Sequence, residues 1–152
     1  MRANFCFDFV IVVKDHDANV RKYHALLGIE PIELARESLP QADMRCTVFP
    51  LWNLGDRGMV LSLISSSDAA SLLNQRIAQH GEGLALFGID VDDVDAFVQQ
   101  GKAAGVKFEN EVPMAYDYGR MVYIRPTSTN NVPFFLSTHK PGWWTKTLNA
   151  GR

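Results

Sequence analysis

The chain has 152 residues, 47% of them hydrophobic, and a formal charge of −2 with Lys and Arg scattered along its length. That is apolar material for one packed domain and too little for a second core, and the lack of a basic field excludes nucleic acid as the expected partner. Cys6 and Cys46 have no CxxC spacing, which excludes a disulfide framework and a zinc knuckle and fits a reducing cytoplasm. Asp8 interrupts the N-terminal apolar run, no small-residue cleavage site follows it, and no stretch reaches membrane-spanning length. A cytoplasmic protein without a membrane segment, acting on a small molecule, is expected.

FCFDFVIVV, residues 5–13, alternates and then becomes continuously apolar and β-branched, as a buried strand does. Asp15 or Asp17 then caps a helix whose Val20, Tyr23, Leu26 and Leu27 recur at helical spacing, and Gly28 stops it. Strands are predicted over Ile29 to Ala35, Met44 to Pro50 and Gly58 to Ile64, with turn residues in 39–43 and 52–58. A linking segment, 65–83, includes a helix through Ala69 to Ala78. The same order then recurs: strand Leu84 to Asp90, helix Asp93 to Ala104 stopped by Gly105, then strands Val106 to Asn110, Arg120 to Arg125 and Val132 to Ser137.

This is an internal repeat of βαβββ units, 4–64 and 84–138, with a tail at 139–152. The fold expected is α+β: one domain over 1–152, in which two units form curled mixed sheets around a cup.

VVKD at 12–15, LLGI at 26–29, GEG at 81–83, VDDVDA at 91–96, GVKF at 105–108 and RPTSTNNV at 125–132 together resemble the vicinal oxygen chelate superfamily, the glyoxalase and bleomycin-resistance fold. Within it the chain is most similar to methylmalonyl-CoA epimerases. The resemblance implies four metal-ligand positions, one per cup strand, which fall on Asp8, Ser62, Leu86 and Phe135. Leu and Phe have no electron pair to donate, so neither a metal nor any other cofactor is expected. The epimerase acid/base carboxylate falls on Arg45. A homodimer is expected, and since superfamily members do both, the two repeats either close one cup within a chain or exchange across the dimer.

Strand parity assigns the lining. If Asp8 points inward so does Cys6; if Arg45 does, so do Thr47 and Phe49. Ser62, Leu86, Met121, Tyr123 and Phe135 complete an apolar cup with a few polar groups, the usual composition of a small-molecule site. Asp8 is the expected base, since burial raises a carboxyl toward the working range, with Arg45 and Tyr123 stabilising an oxyanion and Ser62 orienting a carbonyl. The alternative is that Asp8 and Arg45 form a structural ion pair. Tyr116 and Tyr118, in the loop MAYDYGR, are expected to gate the pocket or stack on a ligand, beside the plainer reading of half-exposed loop tyrosines.

His16 and His24 read as solvated helix positions, His80 as a turn residue, and His139 as either a loop residue or one leaning over the cup mouth. Cys6 reads as a small buried hydrophobe rather than a nucleophile. Trp143 and Trp144 read as an anchor against the body or a second subunit. Two functions remain open on these residues: a metal-independent isomerase, epimerase or lyase moving a proton next to a carbonyl, and a non-catalytic binder of bleomycin-resistance type.

Overall fold

The structure, a computed structural model, describes residues 2–148; the end of the tail, 149–152, lies outside the described residues. Strand β1 (Ala3–Val12) leads into helix α1 (His16–Leu27) and strands β2 (Ile32–Glu33), β3 (Met44–Leu54) and β4 (Arg57–Ser66). Helix α2 (Leu72–His80) links these to β5 (Gly83–Val91), helix α3 (Val94–Ala103) and strands β6 (Met114–Tyr116), β7 (Gly119–Tyr123) and β8 (Phe134–His139). A short helix, α4 (Trp143–Leu148), follows.

All eight strands form one curled sheet in the order β2-β3-β4-β1-β5-β8-β7-β6. β1 runs parallel to β4 and β5 parallel to β8, while β1 and β5 meet antiparallel at the centre. The two βαβββ units therefore have the same connectivity, and their shared sheet surrounds the cup within a single chain.

Both units use the same local chemistry to turn from strand to helix. Asp15 accepts the Ala18 amide and Asp93 the Ala96 amide, each at 3.0 Å, so each carboxylate satisfies an amide that the first helical turn leaves without a partner. Gly28 closes α1 in the left-handed region, φ 65°, with its amide on the His24 carbonyl. Each helix then covers the outer face of its own half-sheet. Val20, Tyr23 and Leu27 of α1 lie on Val13, Phe49 and Leu63, and Val94 and Val98 of α3 lie with Val91, Phe108, Val122 and Leu136. Burying a side chain of this size stabilises the fold by about 1.5–3 kcal/mol.

Several element boundaries differ from the sequence reading. The strand expected from Ile29 to Ala35 is only Ile32–Glu33, preceded by Pro31, which has no amide hydrogen for a ladder. Of Val106 to Asn110 only Phe108 pairs, bridging Ile124. Conversely, MAYDYGR is a hairpin, with β6 and β7 on either side of Asp117 and Tyr118. β3 and β4 run on until only Gly55 and Asp56 turn between them, Gly55 at φ 59°. The linking helix starts at Leu72, where the Ser71 hydroxyl accepts the Asn74 amide.

One irregularity sets the geometry of the cup. The β1–β5 register shifts between Cys6 and Asp8, so Phe7 is the extra residue of a bulge. Phe5 and Phe7 face the cup before the bulge, and Val10 and Val12 after it, with Asp8 on their side.

Candidate functional site

The inner face encloses a cavity of about 110 Å³. β1 contributes Asp8 and Val10, β3 contributes Met44, Cys46 and Val48, and β4 contributes Val60, Ser62 and Ile64. The second unit supplies mostly apolar groups: Leu86, Met121, Tyr123 and Phe135, with Tyr118 from the β6–β7 turn. Gly88 lets the Phe7 and Phe135 rings close onto the β5 backbone, because a Cβ there would stand 2.6 Å from the Phe135 ring and 2.7 Å from the Phe7 ring. At the rim the Ser38 hydroxyl donates to Asp117 at 2.9 Å, joining the β2–β3 connection to the β6–β7 turn across the two units.

Among the described residues Asp8 is the only carboxylate on this wall, 9% exposed, and its one side-chain partner is the Ser62 hydroxyl, which donates to Oδ1 at 2.7 Å. No Lys or Arg lines the cavity among the described residues. Burial disfavours the charged carboxyl and pushes it up to about 7, the Ser62 hydrogen bond pulling partway back. Asp8 therefore exchanges its proton near neutrality, in surroundings where every polar interaction is strengthened.

The neighbouring thiol and phenols stay protonated. Burial, reinforced by the Asp8 charge, holds the Cys46 thiol far above its ordinary range, and burial does the same for the Tyr118 and Tyr123 phenols. Tyr118 donates to the Met121 sulfur at 3.0 Å. The Tyr123 hydroxyl has no hydrogen-bond partner among the described residues, which leaves it free for a ligand. Tyr116 stacks on Tyr118, ring centroids 5.4 Å apart, and stands behind the cavity wall rather than on it.

Four of the sequence-assigned lining residues lie elsewhere. On β3 the inward set is Met44, Cys46 and Val48, so Arg45, Thr47 and Phe49 face outward. Arg45 is half exposed and binds Glu33 at 2.9 Å and Asp17 at 3.0 Å, which corrects both its oxyanion role and its pairing with Asp8. Thr47 bonds His16, and Phe49 is buried beneath α1. Cys6 is on the far side of the bulge from Asp8, off the cavity, and only half buried. The β3 parity was legible, since Met44, Cys46 and Val48 are uniformly apolar whereas Arg45 and Thr47 are not. Nothing in the sequence marks the bulge.

Of the histidines, His16 departs from the solvated reading and His139 from the loop reading. His16 is buried, its two ring nitrogens 2.8 Å from the Ser65 and Thr47 hydroxyls, and burial followed by the Arg45 charge lowers its pKa. His24 stays half exposed beside Glu30, and His80 ends α2 at the surface. His139 is not in a loop but ends β8, where it lines the cavity, with Nδ1 2.8 Å from Asp90. Trp143 and Trp144 anchor α4 on the body of the same chain. Trp144 is 2% exposed, and both indoles close the cavity together with Leu148.

The superfamily's divalent ion does not fit these side chains. Asp8 is the one strong donor among the four ligand positions, Leu86 and Phe135 offer none, and no three His, Cys, Asp or Glu side chains gather among the described residues.

The curled sheet of two βαβββ units around a cup goes with a match of residues 8–123 to the Glyoxalase/Bleomycin resistance protein/Dioxygenase superfamily, and the chain belongs to that family. Among solved structures it is similar to a methylmalonyl-CoA epimerase in complex with methylmalonyl-CoA and NH4+, at TM-score 0.79 and 22% identity, over 91% of this chain and 96% of that one. A Mycobacterium tuberculosis methylmalonyl-CoA epimerase gives 0.76 and 20%, over 92% and 91%. A hypothetical protein from Bacillus halodurans gives 0.76 and 20%, over 91% and 96%. No curated protein matches the sequence.

Proposed function

We propose that the chain is a metal-independent proton-transfer enzyme of the isomerase, epimerase or lyase type, acting on a small carbonyl-containing or aromatic substrate held in the cup. The observation that carries this reading is Asp8, a buried carboxyl pushed up to about 7 in an apolar cavity, with a single hydroxyl partner. In its ionised form Asp8 takes a proton from carbon next to a carbonyl, and the Tyr123 phenol donates to the oxygen on which charge develops. Ser62 holds the carboxyl in place. The epimerase neighbours support an isomerase-type fold, and in one of them methylmalonyl-CoA is the bound ligand.

A second reading, a non-catalytic binder, is favoured by one observation: no cationic side chain faces the cavity among the described residues, so the clamp expected of Arg45 is missing. Incubation in D2O separates the two. The probes are methylmalonyl-CoA and the N-acetylcysteamine thioesters of 2-methylbutanoate and 2-phenylpropanoate. The enzyme reading expects deuterium at C2 of at least one probe and its loss in Asp8→Asn. Probes that stabilise the protein yet return without deuterium establish the binder instead. Cytoplasmic residence and a homodimer belong to the same proposal, and light scattering on the purified chain tests the latter.

A further inference from the structure

The chain leaves the sheet at His139 and folds back over the cup. The Lys140 amide donates to the Tyr118 carbonyl at 2.7 Å, Gly142 turns the backbone at φ 79°, and α4 starts at the next residue. α4 lies beyond residues 8–123, the segment that matches the superfamily, so what it adds to the cup is particular to this chain.

α4 is tied to both units. Besides the Lys140 bond to the second unit, it is held on the β3–β4 turn of the first, where both Asp56 carboxylate oxygens accept the Gly142 amide at 3.0 Å and the Thr145 hydroxyl donates to the Gly55 carbonyl at 3.2 Å. Its apolar side rests on the start of β4. A Cβ on Gly58 would stand 2.8 Å from Leu148 and 3.1 Å from Trp144, so glycine at this position lets the helix reach the sheet. Trp144 and Leu148 are almost fully buried there, and with Trp143 they shut that end of the cup.

The opposite end continues. Leu34, Leu39 and Met44 line both the 110 Å³ cavity and a second hollow of about 540 Å³ that also has Lys14 and Arg36 among its walls. Along β4 the order is Gly58 under α4, Val60 beside Asp8, and Ser66 beside Met44, so the carboxyl stands between the closed end and the open one. A ligand larger than the cavity therefore extends past Met44, and whatever lies on the α4 side of Asp8 has to fit against the indoles.

We propose that Trp143, Trp144 and Leu148 are specificity-determining residues, which limit the substituent on the α4 side of Asp8 to a short aliphatic branch while the rest of the substrate leaves past Met44. This rests on the proton-transfer reading above, which puts the reacting carbon at Asp8. The limit follows from volume. An apolar cavity of about 150 Å³ holds one benzene, and here about 110 Å³ serves the branch and the carbonyl together. An ethyl branch fits and a phenyl does not.

The N-acetylcysteamine thioesters of 2-methylbutanoate and 2-phenylpropanoate test this, since they differ only in that branch. Dissociation constants are read by calorimetry and deuterium exchange in D2O beside them. The parent is expected to favour the ethyl probe at least about tenfold, and Trp143→Ala to move the ratio at least about tenfold toward the phenyl probe, the scale on which pocket room discriminates. Leu148→Ala clears the same end and should act in the same direction, which keeps the test open if Trp143→Ala melts early. Met44→Ala, at the open end, should change both probes alike. A parent without preference or binding neither probe, a ratio unmoved in a variant with a parental melting midpoint, or an equal shift in Met44→Ala overturns the proposal. Binding in the expected ratios without deuterium exchange sinks the proton-transfer reading and leaves the selecting wall in place.

Discussion

The two halves of the sheet share a backbone and differ in what they point into the cup. Outside, Asp15 and Asp93 cap equivalent helices with equal 3.0 Å bonds, and each helix covers an apolar cluster of its own. Inside, the first half presents Asp8 hydrogen-bonded to Ser62, while the equivalent positions of the second half are Leu86 and Phe135. The scaffold is held by features that recur, and the chemistry by features that do not. A carboxylate left without metal or cation in such a cup is a destabilising group, of the kind retained at functional sites.

The largest expected effect comes from removing the asymmetry at Asp8. An unfolded Asp has its ordinary pKa near 4, and the folded value is about 7, so between those limits the folded state holds the proton more tightly and stability falls as pH rises. Asp8→Asn escapes that loss. It should be more stable than the parent at pH 8 by about 4 kcal/mol, equal to it below pH 4, and flatter between, in urea unfolding followed across pH. A parent curve indistinguishable from the variant's would place Asp8 in water. Because the base works ionised, turnover should rise with pH through about 7.

Leu86→Asp extends the chemistry to the second half. Two carboxyls in one apolar cavity oppose each other's ionisation, so destabilisation of about 2–4 kcal/mol is expected at pH 8, shrinking toward pH 5 as both protonate. A pH-independent change would mean that residue 86 has solvent access. The caps sharpen the symmetric side of the comparison: Asp15→Ala and Asp93→Ala should each cost about 1 kcal/mol, equally within error, by thermal unfolding. The smallest effect is expected for Arg45→Ala, whose exposed ion pairs contribute about 0.2–1 kcal/mol, with turnover unchanged. A large loss of turnover there would bring Arg45 back into the mechanism.

The repeat was legible because its carriers are local: helix caps at Asp15 and Asp93, the Gly28 and Gly105 stops, and apolar runs of strand length. Asp8 was legible as a carboxylate in an otherwise apolar strand. The rest of the cup was not, for reasons of tertiary geometry. The bulge at Phe7 reverses parity partway along β1, so alternation counted from Asp8 puts Cys6 in the cup and leaves Phe7 out. His139 and the two indoles enter the wall only because β8 runs to its end beside β5 and α4 folds back over it, and neither placement has a periodicity to reveal it. His16 looked solvated because its partners, Thr47 and Ser65, come from other strands.

The central claim is that the first half holds a desolvated, titrating carboxyl in the cup. The most direct measurement is the carbon-13 shift of the Asp8 carboxyl, followed from pH 3 to pH 9 and assigned by its absence in Asp8→Asn. A midpoint near 7 is predicted. A midpoint near 4 would contradict the claim, because it would put the carboxyl in water or beside a cation.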